Sequence, residues 1–378
     1  MVVQIFNSGV VSGPETLVLP AAHLFRESHV CVFLVEKRWG DKGLVPLQYA
    51  RSLGLSVEAV EVSSRLDFTA LRRLRALLRR LAPRVVHAHD VKATTYAWLA
   101  SRGESWNCIS THHGVGGRPD RKTKAYEYFY SQFILPRMRR AITVSHDDES
   151  TLRRRGLDPA KIVFVPNGIT RPLWSAASRV AEKARLRTEW AKSLPNFDPQ
   201  AVVIGIVARL SEEKRHSYLL RVLSDLERTR RGNHWCLIAV GSGALEARLK
   251  RETAELGLEK KVHWLGYCAN ASSLMPGFDL LAFTSSAEGL PIAALEAGWA
   301  GTPIFSSNVG ALPELIEPDG GIVFPREQDS SHTAIALAGL IGNPPLLTQM
   351  GQRLQQRVIT DFSAEAWVGR MEAIYRSV

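Results

Sequence analysis

The chain has 378 residues, of which 45% are hydrophobic and 22% are charged, so it is long enough for two domains with separate cores. No uninterrupted apolar run approaches the roughly 20 residues that cross a bilayer, and the first residues resemble a buried strand rather than a signal peptide. The composition therefore indicates a globular protein and argues against a disordered, fibrous or membrane-spanning one.

The formal net charge of +11 belongs entirely to the first half of the chain. Residues 1–172 contain 26 Lys and Arg against 15 Asp and Glu, whereas residues 173–378 contain 22 of each. A basic half indicates an anionic partner, such as a membrane surface, a phosphorylated acceptor or nucleic acid. The four cysteines are far apart and lack metal-ligand spacing, which is typical of a cytoplasmic protein.

Short β-branched runs alternate with helical patterns through the first half. This alternation predicts a doubly wound parallel sheet, in which ligands bind at the carboxyl ends of the strands. The predicted strands are Val2–Phe6, Val30–Val35, Val57–Val62, Val85–His89, Cys108–Thr111, Ala141–Val144 and Ile162–Val165. The predicted helices are Pro14–Arg26, Val45–Leu53, Phe68–Leu81 and Thr94–Ser101.

A turn-rich hinge at residues 165–172 precedes a second round of the same alternation. The sequence therefore predicts two Rossmann-like βα domains, residues 1–170 and 171–362, that face a central cleft. The C-terminal helix, residues 363–378, is capped by Ser363 and is expected to cross back onto the first domain. The strands predicted in the second half are Ala201–Ala208, Trp235–Val240, Val262–Leu265, Leu280–Thr284, Pro303–Ser306 and Gly321–Phe324.

Two glutamates follow an apolar strand of the second half. Glu288 lies in the loop at the strand's carboxyl end, Pro291 marks the first helical turn, and Glu296 lies about one and a half turns into the helix. The amides of Gly289 and Leu290 suit phosphate or sugar oxygens, and the two carboxylates suit sugar hydroxyls and a ribose diol. The alternative is one capping glutamate and one solvated glutamate.

Two further loops carry groups that suit a diphosphate. Arg209 and Lys214 lie five residues apart after a buried strand, where a guanidinium and an ammonium can reach one diphosphate. Gly241 and Gly243 end the next strand and permit close approach of the backbone to a ligand. Taken singly, a solvated basic loop and a tight βα turn explain these residues equally well.

The order and spacing of these three loops resemble the retaining glycosyltransferases of family 4, which have the two-Rossmann GT-B fold. The resemblance covers nearly the whole chain and is strongest after Val165. It implies that Arg209, Lys214 and the amides near Gly289 contact the donor diphosphate, while Glu288 contacts the transferred sugar. Contacts to the nucleoside are implied for Gly241, Gly243, Leu265, Tyr267 and, at the ribose, Glu296.

The same resemblance covers the glycine-rich first loop of the family, which matches residues 9–13. The family usually has a pair of glycines here, whereas this chain has Ser12 before Gly13. Gly13 can still bring a backbone amide to the distal phosphate of the donor. This departure puts the geometry of the loop in question, but not the existence of the site.

Histidines follow two strands of the first half. The family's active-site histidine occupies the end of the fifth predicted strand, and the glycine after it favours His113 over His112 as the group that contacts the sugar. His87 and His89 lie at a neighbouring strand end, where hydrogen bonding within the protein is favoured over contact with the acceptor.

The resemblance implies one co-substrate, a UDP- or GDP-sugar, and no further cofactor. No Asp-x-Asp triplet follows a strand, which agrees with metal-independent stabilisation of the leaving diphosphate. The predicted catalytic residues are Arg209, Lys214, Glu288 and His113. Because no carboxylate is identified behind the anomeric carbon, front-side substitution is favoured over a covalent intermediate as the route to retention.

The acceptor is expected at the basic half. Cations beside aromatic residues in segment 116–140 suit an interfacial helix on an anionic membrane, or equally a helix with one buried aromatic face. The basic half and the family together suggest a bacterial envelope glycan or glycolipid as acceptor: lipopolysaccharide, exopolysaccharide or a lipid-linked saccharide. The expected location is the cytoplasm, with peripheral contact to the inner face of the cell membrane.

Alternative functions stay open on the sequence alone. A sugar-nucleotide epimerase shares this fold and would convert the donor to an isomer without any acceptor. A non-catalytic scaffold that binds nucleic acid or membrane would use the basic half, but no nucleic-acid-binding motif accompanies it, so nucleic acid is not an expected partner. A dinucleotide oxidoreductase is disfavoured because no Gly-x-Gly-x-x-Gly is followed by a ribose-binding acid.

Overall fold

The computed structural model describes residues 1–11, 13–112, 128–170, 178–229 and 234–378. The chain divides into two compact units. Unit 1 contains Met1–Thr170 and Ala364–Val378, and unit 2 contains Arg171–Ser363. Each unit has one parallel β-sheet, as the alternation of β-branched runs with helical segments predicts.

Unit 1 contains a seven-stranded sheet in the order β3-β2-β1-β4-β5-β6-β7. Its strands are β1 (Val2–Phe6), β2 (His29–Glu36), β3 (Ser56–Val62), β4 (Val85–Ala88), β5 (Asn107–His112), β6 (Arg140–Thr143) and β7 (Ile162–Phe164). Its helices are α1 (Gly13–Ala21), α2 (Val45–Ser52), α3 (Phe68–Leu81), α4 (Val91–Ser101), α5 (His146–Arg154) and, from the end of the chain, α13 (Ala364–Arg376).

Aspartate side chains fix where two helices of unit 1 begin. The Asp67 carboxylate accepts a hydrogen bond from the amide of Ala70 (3.0 Å), so α3 starts at its predicted position. Asp90 accepts in the same way from an amide in the first turn of α4 (2.8 Å). This cap starts the helix at Val91, so the prediction of a start at Thr94 is wrong by three residues.

A buried hydrogen-bond network joins α13 to the central strands of unit 1. The hydroxyl of Tyr375 lies 3.0 Å from the Nε2 atom of Gln4 and 2.9 Å from the Nδ1 atom of His87. The other ring nitrogen of His87 contacts Thr111 Oγ1 (2.7 Å), and His89 Nε2 contacts Gln4 Oε1 (2.7 Å). Both histidines are buried, so their hydrogen bonds hold the fold of unit 1 together.

Unit 2 contains a six-stranded sheet in the order β10-β9-β8-β11-β12-β13. Its strands are β8 (Val202–Val207), β9 (Trp235–Val240), β10 (Val262–Gly266), β11 (Leu280–Phe283), β12 (Ile304–Ser307) and β13 (Gly321–Phe324). Its helices are α6 (Arg179–Ser193), α7 (His216–Arg228), α8 (Glu246–Glu255), α9 (Ile292–Trp299), α10 (Leu312–Ile316), α11 (Ser330–Ile341) and α12 (Pro344–Asp361).

Candidate functional site

The predicted donor residues of unit 2 follow the two strands at which the strand order reverses. Strand β8 pairs with β9 on one side and with β11 on the other. In doubly wound sheets, ligands bind outside the carboxyl ends of the strands at this reversal. Arg209 and Lys214 follow β8, and Glu288 follows β11. The topology therefore brings two loops that are far apart in sequence to one edge of the sheet.

An ion pair joins these two loops. The ammonium of Lys214 lies 2.6 Å from Glu288 Oε1, and the two side chains are only 17% and 8% exposed. The hydroxyl of Ser285 donates to the same carboxylate oxygen (2.6 Å), and the amide of Ser286 donates to the carbonyl of Glu213 (2.8 Å). Because a largely buried charge needs its partner, the pair fixes both side chains at one place.

Arg209 differs from Lys214 because its side chain is 72% exposed. Its only contact with a described carboxylate is a long one, 3.4 Å from Nη2 to Glu213 Oε1. Burial raises the pKa of Glu213, but the hydrogen bond from the Ser211 hydroxyl (2.6 Å), a backbone hydrogen bond and the nearby charges of Arg209 and Lys214 together outweigh this effect, so the pKa lies below its ordinary value. The guanidinium of Arg209 is therefore accessible to an anion from solvent.

The residue after Lys214 has an unusual backbone conformation that the sequence does not reveal. Arg215 has a φ of 51° and a ψ of 41°, in the left-handed region that few non-glycine residues occupy. Its guanidinium donates to the carbonyl of Arg326 (2.7 Å) and lies 4.5 Å from the ring centre of Tyr218. These contacts stabilise the sharp turn that ends the Lys214 loop and starts α7.

The segment between Glu288 and α9 packs against a third loop, which follows β12. Pro291 is the residue before the first helical residue, so its predicted place inside the first turn is wrong by one position. Leu290 is buried, and the carbonyl of Gly289 accepts a hydrogen bond from the amide of Ala311 (2.9 Å). Gly310 has a φ of 58°, and a Cβ atom there would lie 2.3 Å from Gly289 O. A glycine is therefore required behind the Gly289 peptide.

Glu296 lies near the middle of α9, where it is half-buried. Burial raises the pKa of this carboxyl from 4.5 to about 7. Among the described residues, none donates a hydrogen bond to the Glu296 carboxylate. Such a carboxylate would be satisfied by hydroxyl groups from a bound ligand.

Gly241 and Gly243 allow the loop after β9 to contact the loop that carries Arg209. A Cβ atom at Gly241 would lie 1.9 Å from the carbonyl oxygen of Ala208, and one at Gly243 would lie 2.4 Å from that of Leu210. The amide of Leu210 donates to the carbonyl of the residue between the two glycines (3.0 Å). The glycines thus hold the backbone on both sides of Arg209.

The end of β10 adjoins the same loop. The amide of Gly241 donates to the carbonyl of Gly266 (2.8 Å). Leu265 is half-buried, and the side chain of Tyr267 is exposed. Leu265 and Tyr267, two of the residues predicted to contact the nucleoside, therefore lie next to the glycine loop, with Tyr267 accessible from solvent.

The sites predicted in unit 1 are only partly described. Gly13 is the first residue of α1, whereas Ser12 and His113 lie outside the described residues. The neighbouring His112 ends β5, and its Nε2 atom lies 3.8 Å from Asp148 Oδ1. Burial lowers the pKa of His112 and raises that of Asp148. His112 is thus engaged with a carboxyl group inside unit 1.

Segment 116–140 is described from Tyr128 onward. Three aromatic side chains there, those of Tyr128, Phe129 and Phe133, are about half exposed, and the two phenylalanine rings stack with centres 4.8 Å apart. Within the described ranges, no helix combines the length and apolar character that a bilayer crossing requires. The same ranges contain no cluster of three or more His, Cys, Asp or Glu side chains that could hold a metal ion.

Comparisons with known proteins agree with this architecture. HepE from Anabaena, solved in complex with UDP, has a TM-score of 0.81 over 100% of both chains at 17% identity. The lipopolysaccharide outer core galactosyltransferase WaaB has a TM-score of 0.71, also over 100% of both chains, at 18% identity. These likenesses confirm the predicted GT-B fold, with two Rossmann-like domains.

Relatives in sequence extend the comparison. The chain is 27% identical to a subunit of the phosphatidylinositol N-acetylglucosaminyltransferase of Arabidopsis thaliana, covering 80% of this chain and 64% of that protein. It is 23% identical to the UDP-Gal:alpha-D-GlcNAc-diphosphoundecaprenol alpha-1,3-galactosyltransferase of Escherichia coli, covering 82% and 79%. The family model for "Glycosyltransferase Family 4" matches residues 12–171, and that for "Glycosyl transferases group 1" matches residues 187–357. The protein belongs to the family 4 glycosyltransferases.

Proposed function

We propose that the protein is a retaining, metal-independent hexosyltransferase that moves a sugar from a nucleoside-diphosphate sugar to an envelope glycan or glycolipid. The observation that carries this proposal is the meeting of Lys214 and Glu288 at the reversal point of the unit 2 sheet, beside the exposed Arg209. Two cations and a carboxylate at one strand edge suit a donor with an anionic diphosphate and a hydroxyl-rich sugar.

We propose a UDP-sugar as donor, in preference to a GDP-sugar. HepE, whose fold this chain shares, has been solved with UDP and with UDP-glucose, and the Escherichia coli relative is named for a UDP-Gal donor. In this chain Arg209 and Lys214 would contact the diphosphate. Glu288 would accept hydrogen bonds from the transferred sugar, and Glu296 would accept them from the ribose. The ring of Tyr267, which is exposed, would contact the nucleoside.

In the proposed reaction, the bond between the anomeric carbon and the diphosphate oxygen breaks with its electron pair moving to that oxygen. The acceptor oxygen forms the new bond on the same face, and its proton passes to the departing phosphate. Arg209 and Lys214 stabilise the negative charge that builds on the leaving group. Lys214 has three N–H donors and uses one on Glu288, so donors remain for the phosphate.

The proposed acceptor is a bacterial envelope glycan or a lipid-linked saccharide. Several relatives are named for such acceptors, including a diphosphoundecaprenol-linked sugar and the O-antigen. The half-exposed rings of Tyr128, Phe129 and Phe133 and the excess positive charge of residues 1–172 support peripheral contact with an anionic membrane. We propose a cytoplasmic protein that works at the inner face of the cell membrane.

A panel of nucleotide sugars, tested by thermal shift, examines the donor assignment. At 100 times its Kd, a donor stabilises the folded protein by about 2.7 kcal/mol. Lys214→Ala should abolish most of this stabilisation, whereas Lys260→Ala, at an exposed lysine of the same unit, should retain it. Equal shifts in the two variants would contradict the placement of the diphosphate at Lys214.

Two product measurements separate the transferase from its rivals. NMR of the transferred sugar should show the anomeric configuration of the donor, and inversion would contradict the retaining mechanism. Incubation of the donor without acceptor should leave the sugar's stereochemistry unchanged. Conversion of the donor to an isomer would instead identify an epimerase.

A further inference from the structure

A second candidate site lies within unit 1 and shares no residue with the assigned donor site. A cavity of about 810 Å³ opens at the carboxyl edge of the seven-stranded sheet. Its walls come from the ends of β1, β2 and β3, from the start of α4, and from residues 129–134. The volume is within the range of about 300–1,000 Å³ that holds small-molecule ligands. The proposed donor chemistry uses none of these residues.

One wall of the cavity is charged. The ammonium of Lys92 lies 3.0 Å from Glu36 Oε1 and donates to the carbonyl of Ser64 (3.1 Å). The other oxygen of Glu36 accepts a hydrogen bond from the guanidinium of Arg38, whose side chain is 75% exposed. Lys92 has three N–H donors, so one remains after these two contacts. Arg38 likewise keeps most of its donors open to solvent.

Positive charge exceeds negative charge around the cavity. Arg65 also lines it, is exposed, and forms no ion pair with any described carboxylate. The lining contains two carboxylates, those of Glu36 and Asp90, and three cations. Asp90 accepts hydrogen bonds from the amide of Asn7 (2.6 Å) and from the first turn of α4, so it is already occupied as a helix cap. The lining therefore favours an anion with several oxygen acceptors.

Apolar side chains complete the lining of the cavity. Val62 and Ile134 are buried, Val91 is half-buried, and Leu66 and Phe129 have 45% and 51% of their surface exposed. The ring of Phe129 stacks on that of Phe133, whose side chain is also about half exposed, so the two rings form one exposed apolar surface. A lining that combines cations with exposed apolar side chains suits a ligand that carries an anionic group next to hydrocarbon.

We propose, on the basis of the transferase function proposed above, that this cavity holds the acceptor, and that the acceptor carries a phosphate linked to a hydrocarbon chain. Arg38, Arg65 and Lys92 bind the phosphate, and Leu66 and Phe129 contact the first part of the chain. Glu36 lowers the affinity of the site for the phosphate, because its negative charge offsets part of the attraction of the two cations that it contacts.

Binding of three probes to the full-length protein tests the proposal without any donor. Octyl phosphate carries both features, inorganic phosphate carries the anion alone, and octyl glucoside carries the hydrocarbon alone. Titration calorimetry below the micellar concentrations should show that octyl phosphate binds most tightly. If inorganic phosphate binds as tightly as octyl phosphate, the apolar contact does not exist. If octyl glucoside binds as tightly, the contact with the anion does not exist. Either result overturns the proposal, and so does a failure of octyl phosphate to bind.

Variants of opposite charge effect sharpen the test. Arg65→Ala should weaken octyl phosphate binding about fivefold, which is the effect expected from the loss of one solvent-exposed ion pair. Glu36→Gln should strengthen the binding about threefold. Arg73→Ala removes an exposed arginine of α3 that does not line the cavity and should change nothing. Equal effects of Arg65→Ala and Arg73→Ala overturn the proposal. UDP binding by Arg65→Ala should stay at the level of the unmodified protein, so a failure here is distinct from a failure of the donor assignment.

Discussion

Replacement of Glu296 by glutamine should stabilise the fold and weaken nucleotide binding at the same time. The Glu296 carboxyl is half-buried in α9, and among the described residues no group donates a hydrogen bond to it. Burial without a donor disfavours the charged form, which is why its pKa rises to about 7. Glutamine has nearly the same shape and carries no charge, so it removes this penalty and keeps the packing.

The size of the stabilisation follows from the pKa. Each unit of pKa corresponds to about 1.4 kcal/mol, so a carboxyl that titrates at about 7 instead of 4.5 weakens the folded state by at most about 3 kcal/mol above pH 7. Between pH 4.5 and 7 the folded state binds more protons than the unfolded state, so this contribution to the free energy of unfolding falls as pH rises. Glu296→Gln should therefore match the unmodified protein below pH 4.5 and exceed it by up to about 3 kcal/mol at pH 8.

Hydrogen exchange of the amides in β8 and β11 measures the free energy of unfolding of unit 2 separately from unit 1. Glu255→Gln, at an exposed glutamate that ends α8, is the matched control. At pH 8 the affinity of Glu296→Gln for UDP should fall about tenfold, because the two charge-assisted hydrogen bonds proposed between this carboxylate and the ribose would be weakened. A variant that is no more stable than the unmodified protein at pH 8, or equally more stable at pH 5 and pH 8, would refute the reasoning.

Two further substitutions test how each unit holds its central strands. Gly241→Ala should destabilise unit 2 by about 2–4 kcal/mol and weaken UDP binding, because its Cβ would clash with the Ala208 carbonyl. The control is Gly257→Ala, since Gly257 also has a positive φ but has open space around it. In the same exchange measurement this control should lower the free energy of unfolding by only about 1 kcal/mol. Tyr375→Phe should destabilise unit 1 by about 1–3 kcal/mol, because buried partners of the hydroxyl lose their hydrogen bonds, whereas Tyr128→Phe, at an exposed tyrosine, should leave exchange in β1 unchanged.

Local sequence signals predict most elements of this fold. Val2–Phe6 and Phe68–Leu81 have the predicted bounds, the first because a β-branched and aromatic run fits a buried strand, the second because Asp67 supplies a cap. The predicted start of α4 is too late because Asp90 follows a strand directly, and nothing in the local pattern distinguishes a strand-end aspartate from a helix cap. The likeness to solved structures confirms the GT-B architecture. The sequence predicts it because two rounds of strand–helix alternation are compatible with only a few topologies.

The candidate site is harder to predict from the sequence than the fold is. Spacing along the chain singles out Lys214 and Glu288, but their mutual ion pair depends on β8 and β11 being neighbours, which no local pattern records. The left-handed conformation of Arg215 is likewise a product of tertiary contacts with Arg326 and Tyr218. The roles of individual residues in donor binding stay predictions, and the substitutions described above test them.

The discontinuity of unit 1 has a consequence for biosynthesis. Unit 2 is one uninterrupted stretch, whereas unit 1 needs α13 to supply Tyr375 to the buried Gln4 and His87. At about 5–20 residues per second, a ribosome takes on the order of 10–40 s to make the intervening residues 171–363. The later half of the chain can thus complete its fold first, while the earlier half waits with an unfinished core. During that interval the nascent first half lacks its last helix and exposes part of its apolar core, a state that favours aggregation and calls for chaperones.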